Sequence, residues 1–398
     1  MRKFHLEISE PSVVAQAKPN ERNWGQFQFP KIRKTTNNDF YVCWDHGSDD
    51  YDYAFIVMDA VSSDGKVWRK KQASDVVAYP KMKNGNYFAG FKRVGVNRSD
   101  YLNKYTHVME NPQNGVKCYF ADEIKEENDK TVWGIEIDAK TGEERYFECK
   151  INWPFMPLYT TKQDEVFPLT TIFFLASEPL REIDGVLYAP LYSKGFNSNA
   201  TNKKDAIPQY FTNGVYIFSS KDGGLSWDYL SQVLVDDTSF SENPTFEGFD
   251  EPYLAKMPDG SFIMLMRTGS GLPSYIARST DNMKTWSKPQ IFDDIGVLPH
   301  IQPLKCGVTL ASYGRPILKV RATSDNSGMQ WQDPIRIPLS CNDVLSNWNS
   351  TISCFYTGMI AYSDNEALLV YSDFNCKNQQ NETVKTILCR KITVVFDD

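Results

Sequence analysis

Ser220-Lys221-Asp222-Gly223-Gly224-Leu225-Ser226-Trp227 reads S-x-D-x-G-x-x-W, and the chain repeats that pattern three more times in altered form. Ser279-Thr280-Asp281-Asn282-Met283-Lys284-Thr285-Trp286 keeps Ser, Asp and Trp at the same spacing and carries Met283 in the glycine position. Ser324-Asp325-Asn326-Ser327-Gly328-Met329-Gln330-Trp331 keeps Ser, Gly and Trp, with Asn326 where Asp is expected, and Ser62-Ser63-Asp64-Gly65-Lys66-Val67-Trp68 is one residue short. A short Asp or Asn side chain bonds backbone amides a few residues on, Gly accepts positive φ, and Trp folds back as an apolar plug. Each copy therefore predicts a tight turn between antiparallel strands. Ordinary hairpin turns share the S-x-D-G chemistry but do not require a Trp at a fixed distance. Repeated hairpin units with aromatic punctuation point to a β-propeller.

The stretches between the turns read as strands. Phe40–Trp44, Ala54–Met58, Val116–Phe120, Thr131–Ile137, Thr170–Leu175, Gly185–Tyr192 and Val215–Ser219 are short, aromatic and β-branched, as sheet residues tend to be. Trp133 reads as the relic of another turn. Asp259-Gly260 separates Tyr253–Lys256 from Phe262–Arg267 as a hairpin would. Leu304–Ala311, Pro316–Ala322, Met359–Tyr362, Ala367–Tyr371, Thr386–Cys389 and Ile392–Phe396 continue the plan. The interval from Asp222 to Asp281 is 59 residues and from Asp281 to Asn326 is 45. That period predicts an all-β, six-bladed propeller of four-stranded antiparallel blades, one domain over residues 1–398, with 1–25 as an arm or ring-closing segment.

The totals bound the function. Net charge is -7 with a pI near 5.3 and no basic stripe, which argues against nucleic acid as a partner. No apolar run approaches the ~18 residues of a membrane span, so no membrane insertion is expected. The start, Met1 to Ile8, lacks the long apolar core of a signal peptide, although an exported chain whose leader has been removed reads the same. Eight cysteines without C-x-x-C spacing and four histidines argue against a structural zinc site and for free thiols. No phosphate loop or dinucleotide fingerprint is present, so no cofactor is expected.

The repeated turn resembles the Asp-box, and a ring of such units is similar to the sialidase (neuraminidase) superfamily, most strongly over residues 245–373. The resemblance implies a glycan substrate and a site on the opposite end of the strands from the boxes. It also implies an Arg triad for a substrate carboxylate, an Asp acid/base, and a Tyr nucleophile activated by Glu. The segment from Glu251-Pro252-Tyr253 through Pro258-Asp259-Gly260 to Met266-Arg267 is similar to the one that carries the activating Glu and the second triad Arg. Tyr313-Gly314-Arg315-Pro316 matches the third Arg, and Tyr356, in Cys354-Phe355-Tyr356-Thr357-Gly358, matches the nucleophile. The first triad Arg is where this chain departs, because Phe27-Gln28-Phe29-Pro30 stands in place of F-R-I-P. A charged bidentate contact is roughly twice as strong as a neutral one, so Gln28 weakens a carboxylate site and opens it to a modified nonulosonate, a uronate or a neutral sugar.

Asp45, Asp49, Asp50 and Asp52 compete for the acid/base position, with Asp52 or Asp50 best spaced between Gln28 and the turn at Ser62. A crowded acidic loop raises one member's pKa by like-charge repulsion, as a general acid requires. A solvated turn or a calcium site is the alternative. Asp250 and Glu247 form a second carboxylate cluster that fits a two-acid glycosidase scheme. The expected activity is exo-acting removal of a terminal sugar with retention. Two other readings stand beside it: a polysaccharide lyase acting on uronates, with His46 or His300 as base, and a glycan-binding propeller without turnover. Apart from the resemblance, Arg267 reads equally as a strand-capping ion-pair residue, Arg315 as a turn residue and Tyr356 as a core aromatic.

Overall fold

A computed structural model describes residues 3–46, 57–92, 105–110, 115, 117–125, 131–159, 170–171, 180–208, 211–235, 246–341 and 350–397. Strands take 52% of the described residues and helix 2%, so the protein is all-β. It divides into two compact units, one of Met1–Ala78, Tyr253–Arg278 and Lys288–Asp398, the other of Tyr79–Pro252 and Ser279–Ser287.

Among the described residues four sheets lie wholly or mainly in the first unit. Gln26–Lys34, Phe40–His46 and Val57–Ser62 form a three-stranded sheet. Asp250–Lys256, Phe262–Arg267, Ser274–Ser279 and Gln290–Asp293 form a second, and Val297–Pro303, Thr309–Gly314, Lys319–Thr323 and Ile335–Arg336 a third. In the last sheet Phe4–Ile8, Thr383–Phe396, Glu366–Lys377 and Thr357–Ala361 lie side by side, and Ser12–Gln16 also pairs with Thr383–Phe396. Phe262–Arg267 and Thr309–Gly314 are buried at every residue. Such strands have both faces covered and need no alternation, and Phe262–Met266 accordingly reads as an unbroken apolar run.

Among the described residues the second unit holds two sheets, and one departs from the expected four-stranded antiparallel plan. Its seven strands run Arg181–Ile183, Val186–Lys194, Asn213–Ser220, Ser226–Val233, Glu144–Asn152, Val132–Ile137 and Tyr87–Lys92. The join is a short parallel pairing, Lys150 with Ser226 through Asn152 with Asp228. Trp133 lies inside Val132–Ile137, opposite Glu148, as Trp227 lies inside Ser226–Val233. Boundaries also differ: 304–308 is a turn closed by Leu304 N to Val308 O at 2.9 Å, the strand expected from Pro316 begins at Lys319, and Thr383–Phe396 is one 14-residue strand.

The turns at Ser62, Ser220 and Ser279 share one hydrogen-bond plan, and the turn at Ser324 keeps part of it. Ser220 Oγ accepts from Gly224 N at 2.8 Å and donates to Asp222 Oδ1 at 2.7 Å, while Asp222 accepts from Ser226 N at 2.9 Å. Ser279, Asp281 and Met283 repeat it, with Met283 N to Ser279 Oγ at 2.9 Å. Met283 takes the glycine position at φ 63, and full burial of its side chain offsets a left-handed cost of roughly 1–2 kcal/mol. In the third turn the carboxylate that caps the amides is Asp325, one residue before Asn326: it accepts from Met329 N at 3.0 Å, and Thr323 Oγ1 plays the serine's part at 2.9 Å from Asp325 N. An extra residue between Asp325 and Gly328 shifted the apparent match. Trp227 Nε1 donates to Gly224 O at 2.9 Å and Trp331 Nε1 to Gly328 O at 2.7 Å, so these two indoles pin their own turns, whereas Trp68 and Trp286 donate to Ser12 Oγ and Ser231 Oγ.

Candidate active site

The hairpin at Asp259-Gly260 delivers Arg267. Gly260 N donates to Met257 O at 2.9 Å, Ser261 N to Asp259 Oδ1 at 2.9 Å, and Arg278 ties Asp259 at 2.6 Å. Five apolar residues then lead to Arg267, 8% exposed, at the strand's end. Arg267 Nη1 donates to Tyr356 Oη at 3.2 Å and Nη2 to Ser270 Oγ at 3.3 Å.

Arg315 reaches the same place from Thr309–Gly314. A Cβ on Gly314 would lie 1.8 Å from Phe355 O, so only glycine lets this strand end press against 353–356. Arg315 Nη1 donates to Ser270 Oγ at 2.7 Å and Nε to Cys354 O at 3.4 Å, and its guanidinium carbon lies 5.3 Å from the Tyr356 ring centre. Ser353 Oγ accepts from Phe355 N at 2.9 Å, and Thr357 Oγ1 pairs with Ser312 Oγ at 2.9 Å, which fixes Tyr356 on both sides. Phe29 meets the Tyr356 ring edge-on at 4.8 Å, and burial pushes the neighbouring Cys354 thiol up. Two guanidinium groups on one hydroxyl oxygen repel by roughly 1–3 kcal/mol at such separations.

Backbone strain marks the same residues. Among the described residues, seven other than Gly, Asn and Asp have positive φ, and five of them are Phe27, Phe29, Glu251, Arg315 and Phe355, each a candidate or the neighbour of one. Such conformations cost ~1–3 kcal/mol each and collect where a side chain must be aimed.

The other candidates are placed as follows. Gln28 is fully buried, and neither atom of its amide has a hydrogen-bond partner among the described residues. Register breaks on both sides of Gln28 interrupt its pairing with Phe40–His46. His300 is 5% exposed and packs its ring 4.6 Å from that of Tyr253, a core position ill suited to a base. His46 ends the strand Phe40–His46. Asp45 sits opposite Gln28, while Asp49, Asp50 and Asp52 lie outside the described residues.

The strand Asp250–Lys256 belongs from Tyr253 onward to the first unit, whereas its opening residues Asp250 and Glu251 fall in the second unit. Asp250 is 2% exposed and Glu251 has φ 42. In that unit burial lowers the Lys194 pKa against the pull of Cys118, Asp250 and Glu247, and Lys194 Nζ donates to Asn213 Oδ1 at 2.8 Å. Sequence reading missed Lys194, which carries no signal of its own. It also missed Ser270, although the glycines on either side of it were a visible cue. Among the described residues no group of three His, Cys, Asp or Glu could hold a metal ion.

No protein-family model matches the chain, and neither does any curated protein sequence. Among solved structures it is similar to a protein of unknown function from Dyadobacter fermentans, at 15% identity and TM-score 0.62 over 98% of this chain and 99% of that one. That likeness concerns the fold alone. It is also matched with the α-L-arabinofuranosidase Arb93A of Fusarium graminearum, at 12% identity and TM-score 0.47 over 96% and 97% of the two chains. The NanB sialidase of Streptococcus pneumoniae follows at 13% and 0.47 over 96% and 70%.

Proposed function

We propose that this chain is an exo-acting glycoside hydrolase of sialidase-like type on a six-bladed propeller, removing a terminal sugar from a glycan with retention. The observation that carries the reading is the meeting of Arg267, Arg315 and Tyr356 around Ser270, because a phenol flanked by two cations is a poor core filler and a good reacting group. Tyr356 Oη attacks the anomeric carbon as Glu251 takes its proton, and Asp52 or Asp50 protonates the departing oxygen. The same Asp then removes a proton from the water that breaks the Tyr356–sugar bond, and Glu251 returns the proton to the phenol. Arg267 and Arg315 hold an anionic or hydroxyl-rich group of the sugar, with Gln28, Asp250, His46 and His300 as further substrate-binding positions.

The burial of His300 against Tyr253 weighs against the lyase alternative. The test is a screen of 4-methylumbelliferyl glycosides and natural glycans, with release read by fluorescence and mass spectrometry. A released terminal monosaccharide supports the proposal. Unsaturated uronate products, or binding without release over long incubation, overturn it.

A further inference from the structure

We infer that Ser270 is a positioning residue, whose hydroxyl sets the spacing at which Arg267 and Arg315 present their guanidinium groups to an oxygen of the ligand. The inference rests on the reading of this site as a sugar site and adds to it a residue that neither the repeat nor the resemblance singled out. Ser270 Oγ accepts from Arg315 Nη1 at 2.7 Å and from Arg267 Nη2 at 3.3 Å. A hydroxyl oxygen has two acceptor lone pairs, and here both are directed to cations from strands far apart in sequence.

The chemistry of the acceptor matters. A carboxylate at this point would add a negative charge and compete with an acidic or hydroxyl-rich ligand, whereas a hydroxyl fixes the geometry and adds no charge. A guanidinium has five donors in a rigid fork, so the bond to Ser270 acts with a second one, to Tyr356 Oη for Arg267 and to Cys354 O for Arg315, to orient the plane.

The loop is built to bring Ser270 there. Gly269 at φ 143 and Gly271 at φ 81 flank it, and Thr268 Oγ1 donates to Pro273 O at 2.5 Å, closing the loop across its base. A Cβ at Gly271 would meet nothing within 4 Å, so conformation and not crowding demands the glycine.

The test uses Ser270→Ala together with the isosteric pair Ser270→Thr and Ser270→Val, which differ in the hydroxyl and not in shape. Arginine-selective ¹⁵N spectra of the full chain read rotation about the guanidinium bonds of Arg267 and Arg315 without any ligand. Hindered rotation in the wild type and in Ser270→Thr, with averaging in Ser270→Ala and Ser270→Val, is expected. Unchanged guanidinium spectra in Ser270→Val overturn the inference. With a substrate from the glycoside screen, KM rises on the order of 10-fold in Ser270→Val and Ser270→Ala, kcat falls less, and Ser270→Thr restores KM to within about 3-fold. A KM unmoved in Ser270→Val overturns it as well. A wild type that turns over nothing in the screen counts against the hydrolase reading, and the ligand-free spectra still decide the role of Ser270.

Discussion

Arg267 donates through Nη1 to the hydroxyl of Tyr356 at 3.2 Å, across 89 positions of sequence. Arg315 lies against the ring of the same tyrosine at 5.3 Å, so one phenol takes a hydrogen bond at its oxygen and a cation at its face. The edge contact with Phe29 supplies packing that does not involve the hydroxyl. Reactivity and packing of Tyr356 are therefore separable by substitution.

Tyr356→Phe keeps the ring and its contact with Phe29 and removes only the oxygen. The melting temperature is expected to move by no more than about 3 °C, while sugar release from the substrate identified by the glycoside screen falls on the order of 10³-fold or more. Hydrolysis at the wild-type rate in this variant removes the nucleophile assignment.

The buried amide of Gln28, without a partner among the described residues, costs stability that a side chain of similar shape recovers. Gln28→Leu is expected to raise stability by about 1–2 kcal/mol, seen as a higher urea midpoint at unchanged slope. A Gln28 that also meets the sugar makes the same variant bind substrate more weakly. A lower midpoint would mean that the amide is satisfied in the folded chain.

Trp227 is fully buried, with ring centres of Phe88 and Phe91 at 5.6 and 5.2 Å, whereas Trp68 is partly exposed and bonds Ser12 Oγ at 3.4 Å. Trp227→Ala should cost about 3–5 kcal/mol and Trp68→Ala about 1–2 kcal/mol. Gly224→Ala joins the severe class, since its Cβ would lie 2.7 Å from the Phe88 ring at φ +98. Denaturant titrations that give Trp68→Ala and Trp227→Ala equal costs contradict this ranking.

Acid stability follows from the turn carboxylates. The Thr285 hydroxyl, with amides of the same turn, holds Asp281 down at about 2 from 3.8, and the Arg69 guanidinium does the same for Asp75. Because these folded values lie below the unfolded ones, their contribution is fully present above 3.8 and is lost as pH falls through about 2. The melting temperature should fall over that window and fall less steeply in Asp281→Asn and Asp75→Asn. A melting temperature that stays level down to about pH 2 refutes the assignment.

How much was legible in the sequence depended on how local the cause was. Ser220, Asp222, Gly224 and Trp227 bond one another within eight residues, so their spacing alone reported the turn. The strand Phe262–Arg267 and the hairpin before it were equally plain. Asp325 was misjudged because one inserted residue left the spacing of Ser324, Gly328 and Trp331 intact while moving the carboxylate that caps the amides. Val297–Pro303 was not anticipated at all, since its Pro299 and Pro303 and its His300 mask its strand character.

By itself the sequence determined the repeated turns and the all-β class, because both arise from bonds between near neighbours and from apolar alternation along short stretches. Only the tertiary structure decided that Ser270 stands between Arg267 and Arg315, 45 residues apart from the latter, and that Gln28 is buried with its amide unmatched. Those facts depend on how separate strand ends come together within a packed unit, and no pattern of neighbouring residues encodes where a distant side chain will stop.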